Sequence, residues 1–398
     1  MKILMVHNEY SIFTGEEAVV QGLLRLLGSR RHEIIPFIRS STEIPHMRFG
    51  KYKAFCNGIY SFSSKRTFRK LLSAHKPDIV HIHNVFPFIS PSILCECKKA
   101  AIPVVMTVHN YRLFCPTGLY MINGQICEKC NDGEYWCVLR NCTGSLAKSI
   151  GYALRNYVAR KRRLYLDNVS IYVALTKFQR QRLIRGGFPA DRTFVIPNMF
   201  ERDGTAVPEK LGWYVGYVGR ISPEKGVETL ITAARMYPDI SFKAAGSYDR
   251  MLHLLAEAPP NFEFCGHLDN QKLEAFYSNS RIIVLCSICY EGFPSVLVEA
   301  MIHSKPVSCS RIGGLPEIVD DGVTGLLFEQ SNADELAEKI RYLWDRPDLC
   351  RKMGEAGREK ALREYSPQRY YERLMEVYQR AIGIVRKQNC EVMSGQSC

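Results

Sequence analysis

The sequence contains no apolar run long enough to cross a membrane. Its longest apolar stretches, such as IIVLC at residues 282–286, have the length of a β-strand, whereas a membrane-spanning helix needs about 20 residues. The opening MKILMVHNEY is too short for a signal peptide and predicts a first strand. Short-period repeats and low-complexity tracts are also lacking. With 46% apolar and 23% charged residues, these absences indicate a soluble globular protein.

The length and the cysteine content bound the domain count and the compartment. A chain of 398 residues is too long for one ordinary core and suits two domains of about 150–200 residues each. Fifteen cysteines are an odd number in a chain without a secretory signal. They fit a reducing cytoplasm better than a disulfide framework.

Positive charge is concentrated in the first half of the chain. Residues 1–200 carry 29 Lys and Arg against 12 Asp and Glu, whereas residues 201–398 carry 24 against 28. Such a basic half predicts an anionic partner surface, either membrane or nucleic acid, and the alternative is a merely soluble basic face.

Strand-like runs alternate with amphipathic helical patterns along the chain. KILMV precedes the helical EEAVVQGLLRLL, and the alternation starts again at WYVGYVG. Because strands alternating with helices form parallel sheets, we predict an α/β protein with two doubly wound, Rossmann-like domains facing across a cleft. The first would span 1–200 and the second 201–366, and we expect a C-terminal helix over 367–385 to pack back on the first.

The segment GRISPEKG at residues 219–226 follows a predicted strand and carries two cations, Arg220 and Lys225. Ligands of doubly wound sheets bind beyond the carboxyl ends of the strands, which is where this segment lies. It is neither a GxGxxG fingerprint nor a P-loop, because its spacing fits neither pattern. Its cations predict an anionic ligand, and a tight turn with solvated charges is the alternative.

The segment YEGFPSVLVEAM at residues 290–301 follows the strand-like RIIVLC. It predicts a helix start with Ser295 near the N-cap, so that backbone N–H groups are available to a phosphate. Glu291 and Glu299 suggest a hydrolase pair as one alternative. On a single helix they would lie about 12 Å apart, beyond the roughly 5–9.5 Å of glycosidase pairs. The spacing therefore does not favour hydrolysis.

Together, GRISPEKG, the Glu291–Glu299 spacing and GGLPEIVDDGVTGLLF at residues 313–328 resemble the family-four retaining glycosyltransferases. The resemblance covers residues 1 to about 366 and implies the B-type fold of two Rossmann domains. It implies that Arg220 and Lys225 bind the diphosphate of a nucleotide sugar, that Glu299 holds the ribose hydroxyls, and that Glu291 contacts the transferred sugar. It also implies backbone contacts to the sugar and phosphate from Phe293, Ser295 and Val296.

In the first domain, the resemblance implies catalytic and donor contacts from two further residues. His109 matches a histidine near the sugar and the attacking acceptor, and Gly15 belongs to a loop whose backbone approaches the phosphates. Thr14 stands where this family usually has a first glycine.

The leaving diphosphate gains negative charge as the sugar–phosphate bond breaks, and fixed cations and helix N-termini stabilise that charge. A Mg²⁺ ion would serve the same purpose, but the chain contains no Asp-x-Asp pair. We therefore expect metal-independent catalysis with no cofactor beyond the UDP- or GDP-sugar substrate.

A cysteine-containing loop over residues 110–145 lies outside this core pattern. Cys115, Cys127, Cys130 and Cys142 have the spacing C-x11-C-x2-C-x11-C, with Cys137 as an additional thiol. The central pair is compatible with zinc, but the outer spacings match no standard finger. A structural zinc site is one interpretation, and unligated thiols are the other. The position of the loop indicates an acceptor-side role.

The function predicted from these features is that of a cytoplasmic, retaining glycosyltransferase at the inner face of the cell membrane. It would move a hexose-like sugar to a growing, lipid-linked glycan, as in surface polysaccharide or lipopolysaccharide synthesis. The basic half would face the anionic membrane, chiefly through Arg160, Lys161, Arg162 and Arg163. The neighbouring apolar stripe is expected to face the core. That stripe consists of Ile150, Ala153, Leu154, Tyr157 and Val158.

Two alternative functions remain open at this point. The first is a member of the same family with a soluble acceptor, such as a sugar phosphate or a storage glucan. The second is a nucleic-acid-binding α/β protein, suggested by the basic half. RNA-binding modules stack bases on clustered aromatic side chains and carry no paired acids of this kind. No nucleic-acid partner is therefore expected.

Overall fold

The computed structural model describes residues 1–11, 14–201, 211–249 and 251–393. It divides the chain into two compact units. Unit 1 contains Met1–Gly118, Glu128–Asn198 and the C-terminal residues from Tyr370, whereas unit 2 contains Leu119–Cys127 and Met199–Arg369. The segment 202–210, where the sequence places the domain boundary, lies outside the described residues.

Both units are built from parallel strands alternating with helices. The strands are β1 (Lys2–Glu9), β2 (Glu33–Ser40), β3 (Ile79–Asn84), β4 (Val104–Val108), β5 (Met121–Ile122), β6 (Gln125–Ile126), β7 (Ile171–Ala174), β8 (Thr193–Val195), β9 (Tyr214–Val218), β10 (Ser241–Ala245), β11 (Phe262–Gly266), β12 (Ser280–Leu285), β13 (Val307–Ser310) and β14 (Gly325–Phe328). The helices are α1 (Gly15–Ser29), α2 (Gly50–Ile59), α3 (Phe62–His75), α4 (Leu94–Lys99), α5 (Tyr135–Leu139), α6 (Leu146–Lys161), α7 (Lys177–Arg185), α8 (Val227–Met236), α9 (Leu254–Glu257), α10 (Asn270–Asn279), α11 (Ser295–Ile302), α12 (Leu315–Ile318), α13 (Ala333–Trp344), α14 (Pro347–Glu364) and α15 (Pro367–Met393).

The sheet of unit 1 has the strand order β2-β1-β3-β4-β7-β8, and every pairing is parallel. Strand β1 is central and buried on both faces, which is why its sequence is a continuous apolar run rather than an alternating one. The strand order reverses between β1 and β3. Ligands of doubly wound sheets bind beyond the carboxyl ends of the strands at such a reversal.

The sheet of unit 2 has the order β11-β10-β9-β12-β13-β14, again with parallel pairings. Counted within the unit, this is the 3-2-1-4-5-6 order of the Rossmann fold. The reversal falls between β9 and β12. The loops that follow these two strands are GRISPEKG and the segment that leads to Glu291.

A short hairpin departs from the predicted domain assignment. The sequence places the whole loop 110–145 in the first domain, but the structure assigns Leu119–Cys127 to unit 2. Its strands β5 and β6 pair antiparallel around Asn123 and Gly124, both with positive φ, as a two-residue Asn-Gly turn requires. The hairpin packs on the unit 2 core through Ile126.

The C-terminal helix α15 extends to Met393, beyond the predicted end at residue 385. From Tyr370 onward it clusters with unit 1. The Tyr378 hydroxyl lies 2.7 Å from His81 Nδ1, and the Tyr371 hydroxyl lies 2.9 Å from His32 Nε2.

The prediction that the apolar stripe of α6 faces the core is wrong for most of its residues. Ile150, Leu154 and Tyr157 are 44%, 40% and 52% exposed. The buried face of the helix instead contains small and polar residues, including Ala153, Arg155 and Asn156. No helix within the described ranges is both long enough and apolar enough to span a bilayer.

Candidate active site

The loop after β9 is shaped by its two glycines. Gly219 and Gly226 have φ values of 146° and 62°, in the region that favours glycine. A Cβ atom on Gly226 would lie 2.3 Å from the carbonyl oxygen of Cys286, so the close approach to the end of β12 also requires glycine. The Tyr217 hydroxyl donates to the carbonyl oxygen of Arg220 at 2.8 Å and holds the start of the loop.

Lys225 and Glu291 form a buried ion pair that joins the two loops at the strand reversal of unit 2. Lys225 Nζ lies 2.6 Å from Glu291 Oε1, and the Ser287 hydroxyl donates to the same oxygen at 2.5 Å. Burial disfavours the charged form of each group. The opposite charge of the partner favours that form and has the larger effect. The pKa of Lys225 is therefore raised and that of Glu291 lowered. Both groups stay ionised near neutral pH.

Arg220 is the more accessible of the two predicted cations. Its Nη2 lies 3.3 Å from Glu224 Oε1, and its side chain is 58% exposed. The carbonyl of Glu224 accepts a hydrogen bond from the backbone N–H of Ile288, which ties this loop to the segment after β12. Since the guanidinium is solvated and its 3.3 Å contact is long, it can turn to a bound anion at low cost.

Helix α11 begins at Ser295, close to the predicted start. Its N-cap is Pro294, whose side chain offers no hydrogen bond to the first N–H groups. Those N–H groups carry the positive end of the helix dipole and suit a phosphate. Ser295 and Val296 are half-buried at this end, and the ring of Phe293 packs edge-on against Tyr365 at 5.3 Å.

Glu299 lies within α11, whereas Glu291 lies in the loop that precedes it, so the two acids do not share a helix. The Tyr277 hydroxyl donates to Glu299 Oε2 at 2.8 Å, and the Tyr277 ring stacks on His303 at 5.0 Å. The two acids thus have separate partners. This arrangement suits two binding roles better than one shared proton.

In unit 1, the first turn of α1 explains why Thr14 replaces the usual glycine. Thr14 is the N-cap, and it forms a capping box with Glu17, whose carboxylate accepts from the Thr14 N–H at 2.8 Å. Glu17 also accepts from the backbone N–H of Tyr10 at 2.8 Å. Gly15 is therefore the first residue of a well-capped helix beyond the carboxyl end of β1.

His109, which is half-buried, belongs to a group of four histidines contributed by β1, β3 and the end of β4, and the other three are buried. His109 Nε2 lies 2.8 Å from His83 Nδ1, and the two rings stack at 5.1 Å. His81 lies between the Thr107 hydroxyl at 2.9 Å and the Tyr378 hydroxyl at 2.7 Å. The fourth member, His7, lies 3.8 Å from Glu17 Oε1.

Burial keeps three of these histidines, His81, His83 and His109, neutral. It lowers the pKa of both His81 and His109 to about 3, and it also lowers the pKa of His83, with further lowering by the neighbouring histidines. A neutral His109 donates or accepts a hydrogen bond, but it carries no charge near neutral pH. His83 Nε2 and both ring nitrogens of His7 are buried and make no hydrogen bond within the described residues, so this group retains bonding capacity.

The structure gives no support to the predicted zinc site at Cys115, Cys127, Cys130 and Cys142. The described residues contain no group of three or more His, Cys, Asp or Glu side chains that could hold a metal ion. Cys127 belongs to unit 2, and the other three cysteines belong to unit 1. The pKa of Cys137 is raised to about 12 by burial and by its neighbours Cys142 and Cys115. This thiol, which the predicted set leaves out, is therefore protonated.

Several residues of the site were missed by sequence reasoning. Ser287 and Tyr277 hold the two acids, His83 contacts His109, and the hairpin residue Tyr120 packs edge-on against Tyr290 at 5.9 Å, next to Glu291. Two features of the sequence could have pointed to them. One is the second histidine of HIHN, near the end of a strand, and the other is the Asn-Gly pair in the loop 110–145.

Two parallel, doubly wound units define a two-Rossmann α/β protein, and unit 2 places an ion pair and a helix N-terminus at its strand reversal. The family model described as Glycosyltransferase Family 4 matches residues 13–203, and the model described as Glycosyl transferases group 1 matches residues 202–360. The chain belongs to glycosyltransferase family 4, and it is a glycosyltransferase with the B-type fold.

Similar proteins span nearly the whole chain. An uncharacterized glycosyltransferase of Methanocaldococcus jannaschii is 26% identical over 372 residues, which cover 90% of this chain and 93% of that protein. Sucrose-phosphate synthase from Thermosynechococcus elongatus has a TM-score of 0.72 at 18% identity and covers 96% and 99% of the two chains. The Anabaena protein HepE in complex with UDP and glucose has a TM-score of 0.65 at 18% identity and covers 95% and 99%. At these identities the two structures show a shared fold.

Proposed function

We propose that this protein is a retaining, metal-independent glycosyltransferase that moves a hexose from a UDP- or GDP-sugar to a growing, lipid-linked glycan. The observation that carries the proposal is the Lys225–Glu291 pair beside Arg220 and the N-terminus of α11, at the strand reversal of unit 2. These groups supply positive charge where a diphosphate would lie. The complex of HepE with UDP and glucose supports a nucleoside diphosphate donor on this fold.

In the proposed reaction, the bond between the anomeric carbon and the phosphate oxygen breaks, and its electron pair stays on the leaving diphosphate. Arg220, Lys225 and the first N–H groups of α11 stabilise that negative charge. Glu291 holds Lys225 in place and contacts the sugar, whereas Glu299, oriented by Tyr277, binds the ribose hydroxyls. The acceptor hydroxyl bonds to the anomeric carbon on the face that the diphosphate leaves, and its proton goes to the leaving oxygen.

His109 would act in this reaction as a neutral hydrogen-bonding group. With its pKa lowered to about 3, it is too weak a base to hold the acceptor proton near neutral pH. We propose that it orients a hydroxyl of the sugar or of the acceptor, and that Gly15 brings backbone N–H groups to the phosphates.

Incubation with a panel of nucleotide sugars should release UDP or GDP with only one or a few of the donors. EDTA should leave this release unchanged. NMR of the glycoside formed should show the anomeric configuration of the donor. An inverted product would contradict the retaining mechanism, and loss of turnover in EDTA that added Mg²⁺ restores would contradict metal independence.

We also propose that unit 1 binds the anionic face of a membrane. The exposed side of α6 presents Leu146, Ile150, Leu154 and Tyr157, and Tyr52 of α2 is 75% exposed. Exposed basic residues continue from the end of this helix, including Lys161 and Arg162. An apolar stripe flanked by cations is typical of helices that lie in a bilayer interface.

Changing Leu154 and Tyr157 to Ser, or Lys161 and Arg162 to Gln, should weaken binding to anionic vesicles by about tenfold or more. Each lost cation removes roughly 1 kcal/mol of attraction to an anionic leaflet. Vesicle co-sedimentation at low and high salt measures this effect. The matched control is Tyr342→Ser with Leu362→Ser, two similarly exposed apolar residues of unit 2. Equal binding of all variants, or no binding by the wild type, would favour the soluble-acceptor alternative. That alternative is suggested by the structural similarity to a sucrose-phosphate synthase.

A further inference from the structure

A cavity of about 370 Å³ opens in unit 1. It lies between the end of α6, the end of α7 and the segment that follows His109. Its polar lining is dominated by cations, with Glu128 as the lining acid. The lining arginines are Arg112, Arg160, Arg163, Arg182 and Arg185.

Acidic neighbours neutralise three of these arginines. Arg182 Nη1 lies 2.5 Å from Glu128 Oε2, Arg160 Nε lies 2.9 Å from Glu134 Oε1, and Arg163 Nε lies 3.0 Å from Asp167 Oδ1. Arg112 and Arg185 form no ion pair of this kind within the described residues, so the five lining arginines and these three acids together carry a net charge of about +2. Arg185 is exposed at the rim.

Arg112 is a built part of the cavity rather than a surface side chain. Its guanidinium donates to the Tyr10 hydroxyl at 2.5 Å, and its carbonyl accepts from Asn156 Nδ2 at 2.7 Å. Burial raises the pKa of Tyr10, so this hydroxyl stays neutral beside Arg112, and Glu16 is the acid that acts on Arg112 electrostatically. The pKa of Glu16, which bonds to Tyr10, is also raised by burial.

The same arginine links the cavity to the histidine group. Arg112 contacts Tyr10, Tyr10 contacts Glu16 at 3.2 Å, and Glu16 lies 4.0 Å from His7. A ligand held by Arg112 would therefore lie on the side of unit 1 where His109 is found.

Guanidinium groups present planar pairs of donors that match phosphate oxygens, which makes an arginine-lined cavity selective for phosphoryl groups. The volume is that of a small-molecule site and exceeds what a single phosphate fills. The remaining wall is apolar and aromatic, and a sugar ring or a hydrocarbon group can pack there. It includes Leu113, Phe114, Tyr165, Leu166 and Phe188.

We propose that this cavity binds the phosphoryl or diphosphoryl group of the acceptor substrate. The proposal rests on the glycosyltransferase function above and names the chemistry of its acceptor. Two sources share this chemistry: a lipid diphosphate that carries the growing glycan, and a soluble sugar phosphate.

The first test measures binding of inorganic pyrophosphate by calorimetry in the presence of saturating UDP or GDP, which occupies the proposed donor site. Arg185→Gln should weaken binding by about tenfold, and Arg160→Gln with Arg185→Gln should weaken it further. The matched control, Lys53→Gln with Lys98→Gln, removes two exposed cations of unit 1 outside the cavity and should leave binding unchanged. Because Arg160 also bonds to Glu134, the single Arg185 variant keeps the test valid if the double variant folds poorly.

The Lys225→Ala variant separates this cavity from the donor site. It should lose affinity for UDP while it retains pyrophosphate binding, and Arg185→Gln should show the reverse. Loss of pyrophosphate binding in Lys225→Ala alone, or equal binding by Arg185→Gln and the control, would overturn the cavity proposal. If the wild type binds GDP and not UDP, GDP takes the place of UDP in this test, and failure to bind either nucleotide would instead count against the proposed donor chemistry.

Steady-state kinetics identifies the source of the phosphoryl group. With a polyprenyl diphosphate sugar in detergent and a soluble hexose phosphate as alternative acceptors, Arg185→Gln should raise the acceptor KM by about tenfold and leave the donor KM unchanged. Turnover with the first acceptor indicates a lipid headgroup, and turnover with the second indicates a soluble phosphate. If Arg185→Gln leaves the KM of the acceptor that the enzyme uses unchanged, the assignment is refuted.

Discussion

Replacing Lys225 with Ala is expected to lower kcat/KM by about 10- to 150-fold. A hydrogen bond to a charged group contributes about 1.5–3 kcal/mol, and this one would strengthen as charge develops on the leaving diphosphate. The structure adds a second reason for a large effect. Glu291 lies 2.6 Å from Lys225 Nζ and is only 12% exposed, so the change leaves a buried carboxylate without its cation. An unpaired buried charge of this kind repels the donor phosphates as well.

The Glu291 contact makes the prediction more specific. If the two residues act as one unit, Lys225→Ala combined with Glu291→Gln should lose less activity than the product of the single losses, because the double variant has no orphaned charge. A double-variant loss equal to that product would show that the pair is not coupled. Lys243→Ala is the matched control, since it breaks another Lys–Glu pair of unit 2, at 2.6 Å, in which Glu263 is 60% exposed. It should stay within about twofold of wild type, and an equal loss there would attribute the Lys225 effect to folding.

The fold was predictable because parallel α/β architecture follows from local patterns. A buried strand such as β1 is an apolar run of a few residues, and the amphipathic α1 follows it at once in the sequence. The order of the strands was not predictable, since it depends on which strands pair. Lys225 and Glu291 show the same limit at the site. Both lie in segments recognisable from their residues, but their contact across 66 positions follows from β9 pairing with β12.

Two errors have a common physical origin. The α6 stripe was expected to be buried because apolar residues at helical spacing usually face a core, yet the core side of this helix is filled by Ala153 and by Arg155, which donates to the carbonyl of Pro116. The hairpin Leu119–Cys127 was assigned by its position in the chain, although its contacts are with Tyr290 and the core of unit 2. Pattern and chain position give no information about partners that are remote in sequence.

The histidine group predicts a second large effect, a steep loss of stability in mild acid. Burial holds the pKa of His81 and His109 at about 3 in the folded protein and lowers that of His83, whereas an unfolded histidine titrates near 6.5. Below pH 6.5 the unfolded chain therefore binds protons that the folded chain cannot. The stabilisation is complete above pH 6.5 and is lost progressively as the pH falls toward 3.

The pH slope of the unfolding free energy can be bounded by counting the titratable side chains of the histidine group and its acidic neighbours. His81, His83 and His109 would each contribute at most about 1.4 kcal/mol per pH unit once the unfolded state is fully protonated, or about 4 kcal/mol in total. Glu16 acts in the opposite direction, because its raised pKa lets the folded protein keep a proton that the unfolded chain releases above about pH 4.5. The net expectation is therefore a slope below about 4 kcal/mol per pH unit between pH 6 and 5. Glu17, with its pKa lowered to about 2, contributes only at lower pH.

Urea unfolding at half-unit steps from pH 7.5 to 5 measures this slope. His81→Gln should reduce it by about 1.4 kcal/mol per pH unit, whatever the variant does to stability at pH 7.5, because one proton fewer is taken up on unfolding. The exposed His75 provides the control, since it lies on the surface of α3 outside the histidine group and His75→Gln should leave the slope unchanged. A stability profile that is flat across this range would mean that the histidines accept protons in the folded protein. His109 would then be charged in mild acid, and its role as a neutral hydrogen-bonding group would have to be abandoned.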